Sequence, residues 1–230
     1  MIADSEVRKA VVLVSGGLDS TVSAAVAKSQ GFDVSALTIQ YGQRHARELK
    51  SAKNVCLSLG ISNHKVLSVD LRCFGASALT DDLAVPKDRD PCVSGIPITY
   101  VPARNTVFLS LALAFAEAEG ARDIFIGVSS VDYSGYPDCR PDFIDAFEKA
   151  ANLGTRAADG HKKYRIHTPV MNLTKGETVL LGNELGVDFG LTWTCYDPTP
   201  EDKPCKHCES CRLRAKGFEE AGCPDPLLVG

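Results

Sequence analysis

Ala10-Val11-Val12-Leu13-Val14-Ser15-Gly16-Gly17-Leu18-Asp19-Ser20 sets the reading of the whole chain. The β-branched run Ala10–Val14 is short enough for a buried strand. Ser15-Gly16-Gly17 then makes a tight turn, and the pattern after it predicts a helix through about Lys28. Two glycines let backbone N–H groups close on an anion, and the N-terminus of the following helix adds partial positive charge. Ser15 and Ser20 supply hydroxyls. The Gly-x-x-x-x-Gly-Lys-Ser/Thr spacing is absent, so this is not a Walker loop. A glycine pair alone is equally a plain turn, and Asp19 reads either as a helix cap or as part of a magnesium–triphosphate site.

Outward from this loop, strands alternate with helices. Val34–Ile39 reads as a second strand. A helix then places Leu49, Ala52, Cys56 and Leu59 on one face and stops at Gly60. Lys65–Val69 reads as a third strand. Arg72–Pro97, rich in Pro, Asp and Ser, has no period and reads as a long loop or insertion with room to move. A helix over Asn105–Glu119 ends at Gly120, a strand covers Asp123–Val128, and a helix over Pro141–Asn152 carries proline in its first turn. Thr168-Pro169-Val170 closes another extended segment. Thr174-Lys175-Gly176-Glu177 has capping-box spacing and opens a helix ending near Gly186. The expected fold class is therefore α/β, a parallel Rossmann-like core over residues 1–190 with a small zinc-binding element over 191–230 packed on it. Ligands in such sheets bind beyond the carboxyl ends of the strands. That brings together Ser15–Ser20, Gln40–His45 and Ser129–Arg140.

The chain has 230 residues, 44% hydrophobic and 23% charged, with a net charge of −4. That charge argues against a surface for direct nucleic-acid binding. No apolar run is long enough to span a bilayer, and Met1–Lys9 has no signal-peptide pattern, so a cytoplasmic protein is expected. A homodimer stays open. Nine cysteines suggest metal ligands and free thiols more than disulfides. Cys205, Cys208 and Cys211 stand at x2 spacing with Cys195 upstream, and four thiolates suit a closed, structural zinc site. An iron–sulfur cluster is disfavoured because Cys223 lies too far from Cys211. His207 or Cys223 could stand in for Cys195. Cys56 and Cys73 are expected to be core thiols.

The string Ser-Gly-Gly-Leu-Asp-Ser in its strand-to-helix setting resembles the pyrophosphate loop of the ATP pyrophosphatase superfamily. Further matches narrow this. Tyr41-Gly42-Gln43-Arg44-His45, Val101-Pro102-Ala103-Arg104-Asn105, Asp132-Tyr133-Ser134-Gly135-Tyr136-Pro137-Asp138-Cys139-Arg140 and Cys195 to Cys211 resemble, in order and over nearly the whole chain, the 7-cyano-7-deazaguanine synthases of queuosine biosynthesis. Two positions depart from the common pattern: Thr194 before Cys195, where Ser is frequent, and Lys206 after Cys205, where Gly is frequent. Neither removes a ligand.

The resemblance implies an ATP-dependent ligase that converts 7-carboxy-7-deazaguanine and ammonia into the nitrile through adenylated carboxylate and amide. It implies Mg²⁺ with ATP and structural zinc. Ser15, Gly16, Gly17, Leu18, Asp19, Ser20 and Thr21 would hold the nucleotide. Asp19, Arg104, Lys175 and His45 are the catalytic candidates, the cations facing phosphate or carboxylate and His45 passing protons. Asp132 or Asp138 would accept the paired N–H donors of a guanine-like edge, with Tyr136 as a stacking face. Solvated charges and ordinary turn duty compete for these residues. Two rivals remain: a tRNA-thiolating or base-modifying adenylase, and a zinc-ribbon adaptor whose α/β body is only a platform.

Overall fold

A computed structural model describes residues 7–43, 47–88, 95–129, 136–158, 160 and 162–228. Five strands, β1 (Lys9–Leu13), β2 (Asp33–Gln40), β3 (Asn63–Ser68), β4 (Asp123–Phe125) and β5 (Arg165–His167), form one sheet in the order β3-β2-β1-β4-β5. Every pairing is parallel. The helices are α1 (Leu18–Ser29), α2 (Arg47–Ser58), α3 (Arg104–Glu119), α4 (Pro141–Leu153), α5 (Lys175–Glu184) and α6 (Glu209–Glu220).

Strand periodicity divides the core between the two faces of the sheet. Val11 and Leu13 pack with Leu109, Ala112 and Ala116 of α3. Ala10 and Val12 turn the other way, against Ala24 and Ala27 of α1 and Ala52, Val55 and Cys56 of α2. Strand order reverses beside β1, so the gap between the carboxyl ends of β1 and β4 is the switch point where such folds hold ligands.

The predicted helix ends hold closely. Gly120 caps α3 in the left-handed conformation at φ 71°, and Thr174 and Glu177 form the reciprocal capping box of α5. Three expectations need correction. The buried face of α2 is Ser51, Ala52, Val55 and Cys56, which form two i, i+4 rows, and Leu49 is only half-buried. The strand expected to reach Val128 stops at Phe125, because Gly127 runs against α1: a Cβ there would lie 2.6 Å from Asp19 C and Ser20 N. Cys56 is buried, but Cys73 is exposed on a short 3-10 turn. The described part of Arg72–Pro97 is, as expected, largely irregular, and part of it packs on the cysteine set. Ala78 and Val85 join a cluster with Trp193, Cys195, Cys208 and Cys211. Lys87 forms a β-bridge with Cys208, and the Asp88 N–H donates to His207 O at 2.9 Å. Among the described residues, no helix is long and apolar enough to cross a membrane.

Candidate active site and metal centre

The two glycines after β1 have different duties. Gly16 has φ +83°, and a Cβ on it would fall 2.5 Å from Ala52 N and 2.6 Å from Glu48 O, so only glycine lets α2 approach. Gly17 has φ −80° and lines a cavity beyond the strand ends. Ser15 Oγ and Ser20 Oγ lie 3.0 Å apart, and Ser15 Oγ accepts from Gly17 N at 3.3 Å. Thr21 faces back into the helix, donating its hydroxyl to Gly17 O at 2.7 Å. Lys175, the first residue of α5, donates to both carboxylate oxygens of Asp19 at 2.8 Å. Gly217 of α6 makes room for its stem, since a Cβ there would sit 2.5 Å from Lys175 Cγ.

The cavity, of about 260 Å³, runs from this loop to a second polar end. Arg104 sits there at the start of α3, 5.9 Å from the ring centroids of both Tyr41 and Tyr136. Burial works against its charge, but Tyr41, Tyr136, Tyr196 and Cys139 together more than offset that and hold the guanidinium protonated. Burial pushes the phenols of Tyr41 and Tyr196 up, and the Cys139 thiol to about 11. Glu48, in the first turn of α2, also lines the cavity. Desolvation raises its carboxyl to about 7 against the pull of Arg104, although part of the residue remains solvent-accessible.

The sequence-derived candidates therefore separate. Asp19 and Lys175 meet at the glycine loop, while Arg104 and Tyr136 meet at the far end. Asp138 is buried and does not line the cavity; it accepts from Asn105 N at 2.9 Å and so caps α3. His45 and Asp132 lie outside the described residues. Sequence reasoning missed Glu48, Tyr196 and Trp193. An acid in a first helical turn is unremarkable, and nothing in their spacing marks the other two. Trp193 is nevertheless central: its backbone N–H donates to Gly16 O at 2.8 Å, its indole N–H donates to Cys195 O at 3.0 Å, and the Arg47 guanidinium lies 4.9 Å from its ring centroid.

The sulfurs of Cys195, Cys205, Cys208 and Cys211 all lie within 4.8 Å of one another. Tetrahedral zinc–thiolate geometry asks for separations of about 3.8 Å. Cys195 Sγ accepts from Cys205 N and Cys205 Sγ from Cys208 N, each at 3.2 Å, bonds that favour thiolates. The donor set thus fits a metal. Hydrogen bonding from Cys195, then Cys211, drives Cys208 down, while the same pairing drives Cys211 up. His207 instead turns to Asp88 at 3.1 Å, and Cys223 accepts from Asn183 at 3.6 Å. Lys206 adopts φ 66°, the left-handed turn that glycine fits more easily.

The family model described as "Queuosine biosynthesis protein QueC" matches residues 9–222. The chain belongs to this family. A relative from Paramagnetospirillum magneticum, described as 7-cyano-7-deazaguanine synthase, is 59% identical over 95% of this chain and 97% of its own length. Another of that description, from Rhizorhabdus wittichii, is 56% identical over 98% of this chain and 97% of its own length. Family membership accords with the sheet: the solved NMN synthetase from Francisella tularensis superposes with a TM-score of 0.52 over 95% of this chain and 79% of its own. At 16% identity, that likeness is one of fold.

Proposed function

We propose that this protein joins ammonia to 7-carboxy-7-deazaguanine at the expense of ATP, and dehydrates the resulting amide to 7-cyano-7-deazaguanine. The observation that carries this is one cavity with two complementary ends. At one, the glycine loop and the N-terminus of α1 suit a triphosphate, with Lys175 and Asp19 beside them. At the other, Arg104 stands among Tyr41, Tyr136 and Tyr196, a cation with aromatic faces suited to a flat heterocyclic carboxylate.

A carboxylate resists nucleophilic attack because its oxygen leaves poorly. Attack of that oxygen on the α-phosphorus of ATP releases pyrophosphate and makes AMP the leaving group. The N–H dipoles of the loop stabilise charge on the departing pyrophosphate, and Lys175 exchanges Asp19 for a phosphate oxygen. Mg²⁺ arriving with ATP would be held by Asp19 and would neutralise triphosphate charge. Ammonia then displaces AMP and gives the amide, whose remaining oxygen needs the same activation before it leaves. Only one such loop occurs among the described residues, so the same site serves both rounds. The Cys195, Cys205, Cys208 and Cys211 set is proposed to hold structural zinc.

Incubation with ATP, ammonium and 7-carboxy-7-deazaguanine, followed by mass spectrometry, is expected to give the nitrile with two AMP and two pyrophosphate. Authentic amide should be converted with ATP alone. Formation of ADP and phosphate, or an amide never consumed, would refute the two-round scheme. Strong salt-sensitive RNA retention without ligase activity would favour the adaptor reading instead.

A further inference from the structure

We infer that Glu48 is the group that binds ammonium in the cavity and accepts its proton, delivering ammonia beside the activated carbonyl. The inference rests on the ligase reading above and adds a residue to it.

Position is the first argument. Glu48 lines the same cavity as Gly17 and Asp19 of the loop and Arg104 of α3, and its carboxyl feels Arg104 and Tyr41. The start of α2, whose backbone packs on Gly16, thus sets this carboxyl in the cavity that holds both the glycine loop and Arg104. Charge is the second. A carboxylate beside phosphates and a substrate carboxylate is repelled unless it carries a proton or a small cation, and ammonium supplies both. Of the other cavity-lining carboxylates, Asp19 is engaged by Lys175, and Glu209, at the start of α6, stands on the Tyr196 side. Beyond Arg104 the titratable neighbours are Tyr136, Tyr196 and Cys139. Tyr41, Tyr196 and Cys139 stay protonated near neutrality, because burial raises all three. Arg214 is held by Asp225. Glu48, in the cavity beside Arg104 and poised at about 7, is thus able to change charge at working pH.

The step balances simply. NH₄⁺ gives one proton to the Glu48 carboxylate, and the nitrogen lone pair attacks the acyl carbon. The C–N bond forms, the C–O bond to AMP breaks, and the nitrogen sheds a second proton to solvent as the amide forms.

The test separates adenylation from nitrogen transfer in the full-length protein. Exchange of pyrophosphate into ATP, dependent on 7-carboxy-7-deazaguanine and run without ammonium, reports adenylation alone; its absence in the wild type would sink the ligase reading itself. With exchange present, Glu48→Gln should keep it near the wild-type rate while amide formation from ammonium falls by about 100-fold or more. Hydroxylamine, largely uncharged at neutral pH, should still yield the hydroxamate at close to the wild-type rate. Unchanged amide formation, equal loss of exchange and transfer, or equal loss with both nucleophiles would each overturn the assignment. If Glu48→Gln does not fold, the wild-type pH profile decides. Transfer at fixed total ammonium should rise and level above about 7; a rate that keeps climbing towards the pKa of ammonium overturns the inference.

Discussion

Replacing Gly16 and Gly17 by alanine, one at a time, should split the loop into a packing half and a binding half. At Gly16 the new Cβ would meet Ala52 N at 2.5 Å, Glu48 O at 2.6 Å and Ser51 Cβ at 2.9 Å, with φ fixed at +83°. The left-handed strain costs about 1 kcal/mol. Relieving the overlap means pushing α2 off the sheet, which adds roughly 2 kcal/mol as overpacking and loosens Val55 and Cys56. A loss of about 3 kcal/mol lowers Tm by about 10 °C in a chain of this size. At Gly17 the nearest atoms are Ser15 Oγ at 3.3 Å and Trp193 O at 3.6 Å. Stability should therefore stay within about 1 kcal/mol of the wild type, while the methyl group intrudes on the nucleotide and weakens its binding. Calorimetry or denaturant unfolding measures the first effect, and titration with ATP the second. Gly16→Ala melting with the wild type, or Gly17→Ala binding ATP normally, would refute the division.

Lys175→Met keeps the stem against Gly217 but removes the charge; exchange activity should fall about 100-fold with little change in stability, since Asp19 remains partly solvated. Near-normal exchange would count against Lys175 as a phosphate contact. Cys208→Ser should lose metal and melt early, because metal-binding free energy is here folding free energy; elemental analysis showing iron, or no metal, in the wild type would overturn the zinc assignment. Lys206→Gly should raise stability by about 1 kcal/mol of relieved strain, a Tm gain of about 3 °C; a lower Tm would show that the Lys206 side chain stabilises the turn. Glu48 binds its proton more tightly folded than unfolded, 4.5 rising to about 7, so stability falls as pH rises between those values. Glu48→Gln should match the wild type near pH 4 and exceed it at pH 8 by up to about 3 kcal/mol in urea unfolding; parallel pH curves would contradict the raised value.

The alternation and the caps were legible because they are local. Ala10–Val14, the Thr174–Glu177 box and Gly120 each state their role within a few residues, and so does the x2 spacing of Cys205, Cys208 and Cys211. What escaped depends on distant chain segments. Leu49 fits an amphipathic stripe, yet the sheet chooses the Ser51 and Ala52 rows. Asp138 stands in a motif that suggests ligand contact, and only the fold turns it onto Asn105 N. Ala78, Val85 and Lys87 stand in a stretch with no period, so their packing against the cysteine knuckle leaves no trace in the sequence pattern. Glu48 gains its chemistry wholly from neighbours on other elements.

The bond from Trp193 N to Gly16 O has a consequence for synthesis on the ribosome. The loop at Gly16 emerges early, but the segment that clamps it lies about 175 residues later, just ahead of the cysteine knuckle. A nascent chain can build the first strands and helices long before this clasp exists. The nucleotide loop should therefore stay unset until Trp193 and Cys211 have both emerged, so that hydrolysis of ATP by half-made chains is avoided through chain order alone.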